Sequence, residues 1–230
     1  MTENKEFPIV GLIGAPEKPL KTIYLACRTC YSAEYPCKIW EKDTSEENML
    51  KLIGKVLESG HHSTIEHCQY TFTISGVSRA CTHQLVRHRH MSFSQKSQRY
   101  VIEKGQFEYI TPATIEKAGL KGDYDNMMEQ LANFYEKMIQ KGIPAEDARF
   151  TLPNAATSSL VTSLNLREMI HLANLRLCSN SQHEIRKLVK KMRELVVEKE
   201  PWLGDYLVPK CEINGYCDEI HGCGRFPQKQ

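Results

Sequence analysis

Gln84-Leu85-Val86-Arg87-His88-Arg89-His90-Met91-Ser92-Phe93-Ser94-Gln95-Lys96-Ser97-Gln98-Arg99-Tyr100 is the stretch on which the reading of this chain turns. Its seventeen positions hold three arginines, two histidines, three serines and three glutamines, and no carboxylate. A segment so composed cannot neutralise itself and calls for an anion. Arginine offers a rigid fork of donors that matches phosphate. Serine hydroxyls and glutamine amides add neutral donors that set orientation. Val86, Met91, Phe93 and Tyr100 interleave with the charges, so part of the segment is expected to be buried. Three readings stand: a phosphate-bearing small ligand, which the bias to arginine and serine favours, a nucleic acid, or a structural role.

The rest of the chain narrows these. It has 230 residues, 41% hydrophobic and 25% charged, as expected of a globular protein with one large or two small domains. Lys and Arg number 30 against 28 Asp and Glu, a net charge of +2, so the basic stretch is a local feature on a balanced background. A protein built to coat nucleic acid is usually more basic than this. No run of about 18 apolar residues is present, so no membrane span is expected. Residues 1–6 lack the apolar core of a signal peptide, which points to the cytoplasm. Nine cysteines form no even framework, and in a reducing compartment they are expected to be free thiols or ligands.

Phe7 to Gly14 reads as a short strand, and no phosphate loop is present anywhere. A helix is expected from about Leu20, with Leu20, Ile23, Cys27 and Cys30 on one face. Cys27 and Cys30 make a CxxC; no second CxxC completes a zinc site, and two core residues one turn apart is the simpler reading. Thr44 and Glu47 look like a capping box, followed by Met49, Leu52, Ile53 and Val56 at helical spacing and a stop at Gly60. His61, His62, Glu66 and His67 follow; their spacing is not HExxH, which favours a polar ligand- or subunit-binding loop over a metal site. Cys68 to Ser75 alternates, with Tyr70, Phe72 and Ile74 on one face of a half-buried strand, and Gly76 turns the chain. A short helix is then expected to carry Gln84 and Arg87, with the basic stretch as a loop after it. Tyr100–Ile102 and Phe107–Ile110 are expected as two strands joined at Lys104-Gly105.

Asp123 to Lys141 has the pattern of a long helix, with Met127, Met128, Leu131, Phe134, Tyr135 and Met138 as its core face. Pro144 opens another short one. Asn165 to Arg176 reads as a helix with Arg167 and His171 on one face and Met169 and Leu172 on another, suited to a planar anionic ligand. Ser181 and Glu184 look like a second capping box before a long amphipathic helix that ends at Pro201. In the tail, Cys211, Cys217, His221 and Cys223 invite a zinc reading. Their gaps lack the usual knuckle spacing, so no metal is assigned and a loose or docked tail is expected.

At these residues the chain resembles the flavin-dependent thymidylate synthases, the ThyX family. That family's signature of Arg-His-Arg, seven residues, Ser, any residue and Arg is met by Arg87-His88-Arg89 and Ser97-Gln98-Arg99. Other blocks match in order: Gly60-His61-x-Ser63-x-x-Glu66-His67, Gln84, Ala148-Arg149, Asn165-x-Arg167, His171 and Asn174-Leu175-Arg176. The resemblance implies an α+β fold, a single domain with a central, mainly antiparallel sheet flanked by helices. The catalytic domain would span 1–208 and a Cys-rich tail 209–230.

It also implies an enzyme, a methyltransferase that converts dUMP to dTMP. Methylenetetrahydrofolate would be the carbon donor, FAD the cofactor and NADPH the reductant. Gln84, Arg87, Gln95, Lys96, Ser97, Gln98, Arg99, Arg149 and Arg176 would hold dUMP, with Arg176 as the catalytic group beside the uracil ring. His61, Ser63, Arg87, His88, Arg89, His90, Gln95, Asn165, Arg167 and His171 would surround FAD. The family's homotetramer, with sites shared between subunits, would supply partners for the uncompensated cations; neither nucleic acid nor membrane would be a partner. No cysteine is implied as a nucleophile. Ser94, His90 and Gln95 depart from residues common in the family.

Overall fold

The computed structural model describes residues 7–103 and 105–229. Residues 1–6, on which the reading of the N-terminus rests, and Lys104, expected at a turn, lie outside them. In chain order come β1 (Ile9–Gly14), α1 (Pro19–Thr29), α2 (Pro36–Glu41), α3 (Glu46–Glu58), β2 (Gln69–Ser78), α4 (Arg79–Leu85) and β3 (Met91–Gln95). Then follow α5 (Ala113–Lys117), α6 (Lys121–Gln140), α7 (Ala145–Ala148), β4 (Thr157–Asn165), α8 (Leu166–Arg176), α9 (His183–Lys199) and α10 (Lys210–Asn214). The strands pair in the order β1-β2-β4-β3 as an antiparallel sheet, so the fold is α+β as expected.

Two compact units divide the chain, neither of them continuous in sequence. The first takes the residues up to Val10, Thr73–Arg87 and Phe93–Thr162. The second takes Gly11–Phe72, His88–Ser92 and everything from Ser163 onward. In the second unit α1 packs on α3 and α8 on α9. Ile23 and Cys27 of α1, Ile53 and Val56 of α3, and Ile185, Leu188, Val189, Met192 and Val196 of α9 are buried. Each large apolar side chain so buried contributes about 1.5–3 kcal/mol. In the first unit Phe107, Met128, Ala132 and Ala156 form a separate core, with Tyr109, Tyr124 and Leu131 against it.

Several expectations change. The cap of α3 is Ser45, not Thr44: Ser45 is extended and its hydroxyl accepts from the Asn48 amide at 3.4 Å. That puts both Glu46 and Glu47 in the first turn, where carboxylates meet the positive end of the helix. The cap of α9 is likewise Gln182, not Ser181, its carbonyl oxygen accepting from Glu184 and Ile185. Cys30 lies exposed beyond the end of α1, while Cys27 is buried. Gly60 behaves as expected, with φ +82° and paired terminal bonds, His61 N to Val56 O and Gly60 N to Leu57 O.

Tyr100–Ile102 and Phe107–Ile110 are not strands; among the described residues only an isolated bridge joins Tyr109 to Ala156. The Phe107 and Tyr109 rings are spent on α6 instead, Tyr109 packing edge-on against Tyr124 with ring centres 5.9 Å apart. On α6 itself Met127 and Phe134 are exposed, and the buried face is Met128, Ala132 and Tyr135. A small alanine lets the helix approach its core, which shifts the stripe away from the larger residues. β3 interrupts the basic stretch expected as a loop, and Arg87 falls just past the end of α4.

β2 does not stop at Gly76 but runs on to Ser78. Gly76 has φ +71°, and a Cβ there would meet the Phe7 ring at 1.9 Å. Both the left-handed conformation and the close approach of Phe7 require a residue without a side chain. Gly76→Ala is therefore expected to destabilise the fold by about 1–3 kcal/mol, read as a lower urea midpoint at unchanged slope.

Candidate functional site

The second unit builds its polar centre on α8. The helix starts at Asn165, whose side-chain oxygen accepts from the Glu168 amide at 2.9 Å. Leu166, Met169, Leu172 and Ala173 are buried, and Glu168 is buried among them at 5% exposure. A carboxyl group so placed needs a partner. It has one in His88, only 4% exposed, whose Nδ1 lies 3.0 Å from Glu168 Oε1. On the other side of the ring, Arg176 Nε donates to His88 Nε2 at 3.1 Å.

These contacts settle the proton on the ring. A guanidinium only donates, so Nε2 accepts, Nδ1 carries the hydrogen, and Glu168 Oε1 accepts it. Burial pushes the His88 imidazole below its ordinary value; the Glu168 bond opposes this and the Arg176 charge reinforces it. His171 stands edge-on to His88 with ring centres 5.7 Å apart. His88, Glu168 and His171 are the one group among the described residues whose possible metal-binding atoms lie within 4.8 Å of one another. Both nitrogens of His88 are already engaged, one of them by a cation, so this trio is a hydrogen-bonded network and not a metal centre.

Around that network, Arg167 pairs with Glu66 at 2.6 Å and His61 Nδ1 meets the Tyr31 hydroxyl at 3.2 Å. A cavity of about 530 Å³ lies within this unit, with Leu57, Ile65 and Ile170 as apolar walls and His62, Arg167 and His171 as polar ones. Ser63, Arg89 and His90 are exposed. Asn165 is committed through its oxygen to the helix cap, which leaves its amide nitrogen for a ligand.

The first unit holds the other cations. Arg99 Nε bonds Glu146 Oε2 at 2.5 Å, and its guanidinium carbon lies 5.2 Å from the centre of the Tyr100 ring. Lys96 pairs with Glu103 at 2.6 Å. The Ser97 hydroxyl accepts from the Arg99 amide at 3.1 Å, which ties the turn. Arg149 is exposed and donates to the Glu146 carbonyl at 3.0 Å. Gln95 turns inward, its amide donating to Thr82 at 3.1 Å and Ser158 at 3.0 Å, so it braces β3 and α4. Gln84 and Gln98 are half-buried, and Arg87 is exposed.

Three residues escape a reading of the sequence. Glu168 has a signal, a charge set among Leu166, Met169 and Leu172. Arg79 is partly buried, and burial together with the nearby charge of Arg149 lowers its pKa from the ordinary value. Glu146, the partner of Arg99, is 47 positions away along the chain, and no local pattern announces the pairing.

Comparison with known proteins follows the same lines. Residues 11–202 match the family model described as thymidylate synthase complementing protein. The flavin-dependent thymidylate synthase of Nitratidesulfovibrio vulgaris is 41% identical, covering 97% of each chain. That of Geobacter sulfurreducens is 37% identical over 91% of this chain and 90% of its own. Among solved structures, ThyX from Helicobacter pylori with FAD and dUMP superposes with a TM-score of 0.68 at 26% identity, covering 87% of this chain and 99% of that one. The UMP/dUMP methylase PolB from Streptomyces cacaoi, bound with 5-Br dUMP, gives 0.72 at 21% identity over 84% and 92%, a likeness of fold.

Because burial depresses the His88 pKa, the unfolded chain takes up a proton on this ring near pH 6.5 that the folded chain refuses. Stability from this group is thus intact above that pH and declines as pH falls below it. Urea midpoints at about pH 7.5 and about pH 5.5 should differ more in the native chain than in His88→Gln. An equal difference in both would remove this role from His88.

Proposed function

The chain belongs to the flavin-dependent thymidylate synthase family, and we propose that its Arg/His-rich stretch and α8 supply the groups that hold that family's nucleotide and flavin. It is an FAD-dependent methyltransferase that makes dTMP from dUMP. The arrangement that carries the proposal is the Glu168–His88–Arg176 chain, because it holds a guanidinium in place with its terminal nitrogens left over.

Arg176 Nε is spent on His88, so those terminal nitrogens are the ones that face the uracil ring. A fixed cation beside an N–H acid lowers the pKa of that acid and favours its ionised form. Gln84, Arg87, Lys96, Ser97, Gln98, Arg99 and Arg149 bind the phosphate and sugar of dUMP. Gln95 acts from behind by holding β3 to Thr82 and Ser158. Arg99 leaves Glu146 for the phosphate when the nucleotide binds.

The residues of the second unit fit FAD. Leu57, Ile65 and Ile170 line apolar walls for part of a ring system, and Arg167 and His171 stand beside them as donors. Outside that cavity His61, Ser63, Arg87, Arg89, His90 and Asn165 complete the set, and the buried His88 acts only from behind, through Arg176. FAD, when bound, supplies the hydride transfer. NADPH as reductant, methylenetetrahydrofolate as carbon donor and a homotetramer with shared sites complete the proposal. The exposed cations Arg87 and Arg89 favour shared sites, since the stretch around them holds no carboxylate. Residues 1–208 do this work in the cytoplasm, and the tail from 209 stands outside the reaction.

The purified protein should be yellow, or become so with FAD, and should oxidise NADPH faster when dUMP is added. A colourless protein that takes up no flavin would sink the assignment. Arg176→Ala should keep flavin absorbance and lose at least about a hundredfold in methylation rate, the scale of a lost electrostatic stabiliser. Arg99→Ala should instead raise the KM for dUMP by roughly tenfold to a hundredfold with kcat nearly kept, as loss of uniform binding does.

A further inference from the structure

The C-terminal tail gathers cysteines from three separate places. Cys178 follows the end of α8, Cys211 lies on α10, and Cys217 and Cys223 come from the closing loop. All four line one cavity of about 320 Å³. Spacing along the sequence placed His221 in this set; the structure replaces it with Cys178. His221 does not line the cavity, and its backbone oxygen accepts from Asn180 Nδ2 at 2.7 Å.

All four cysteines are free thiols. The closing loop is pinned at Cys217, whose amide donates to Pro227 O at 2.7 Å and whose oxygen accepts from Lys229 at 2.8 Å. Gly224 turns the chain just after Cys223 with φ +81°. The Ser179 hydroxyl and the Arg225 amide stand as donors to the Cys223 sulfur. Donors of this kind orient and stabilise a thiolate ligand. Cys211 has Cys178 and Cys217 as neighbours. Thiolates crowded together repel unless a cation lies among them. Arg186 and Arg225 line the same cavity, Arg225 paired with Glu212 at 2.8 Å, so Arg186 is the charge that opposes the net negative charge of a divalent ion with four thiolates.

We propose that Cys178, Cys211, Cys217 and Cys223 form a tetrathiolate site for a structural zinc ion. Four sulfur ligands with no open position are the donor set of a structural, not a catalytic, zinc. Each thiol releases its proton as it binds, with no change of oxidation state. No three of these sulfurs lie within 4.8 Å of one another, so binding requires the tail to draw inward until the Zn–S bonds reach about 2.3 Å. The ion joins the tail to the turn just past Arg176. Three of its four ligands lie beyond residue 202, where the family match ends.

The test uses the full chain, purified from cells grown with zinc. Elemental analysis should find close to one zinc per chain, and Cys37→Ser, at an exposed cysteine outside the cavity, should keep it. Cys217→Ser and Cys223→Ser should lose zinc while keeping flavin absorbance. Cobalt titrated into chelator-treated native chain under reducing conditions should give thiolate-to-cobalt charge-transfer bands and protect four thiols from alkylation. No zinc as purified and no cobalt uptake would overturn the site. So would zinc retained in the double variant Cys217→Ser/Cys223→Ser, or a disulfide among the four cysteines of protein purified without exposure to oxidant.

Discussion

One imidazole ring sets the conditions for much of the second unit. His88 lies between Glu168 and Arg176, and both of these sit on α8, eight residues apart. That is about 12 Å of helix axis and a little over two turns, so both side chains leave from one face. The ring spans them and is satisfied at both nitrogens. With His88 and Glu168 nearly inaccessible, water cannot replace either partner, and removing one leaves a buried polar group unpaired. The position of the Arg176 guanidinium is therefore inherited from the cap at Asn165 and the buried face of α8. An arginine on a free loop would hold the same charge without the same aim.

The first unit uses its charges differently. Two of its cations are paired near the surface, Arg99 with Glu146 and Lys96 with Glu103. Exposed pairs of this kind are worth about 0–1 kcal/mol, so they keep side chains in place without locking them. The precision comes from neutral groups beneath, where Gln95 links Thr82 to Ser158 and the Ser97 hydroxyl ties the Arg99 turn. The unit boundary falls in the chain between Arg87 and His88, within the Arg-His-Arg triplet itself.

Much of this is legible in the sequence. The basic stretch, the α8 pattern and the ordered blocks point to the family on their own. What stays hidden depends on long-range packing. β4 gives no clear signal because Ser158 and Thr162 occupy its buried face beside Leu160 and Leu164, and small hydroxyl residues carry no strong apolar period. β3 is masked because Met91, Phe93 and Gln95 alternate inside a run dominated by arginine and histidine. Phe107 and Tyr109 have the composition of a strand, yet their rings serve α6. The pairings of Glu168 with His88 and of Glu146 with Arg99 join distant segments, which no local period can announce.

The Arg99–Glu146 pair has a consequence for selectivity. An incoming anion does not meet a vacant cation; it must displace a carboxylate that is always there at high effective concentration. A carboxylate or another singly charged group gains little by that exchange. A phosphate monoester, with close to two charges and three acceptor oxygens, gains on both counts. In the proposed nucleotide site Glu146 would thus set a threshold, which the nucleotide would cross where its unphosphorylated nucleoside would not.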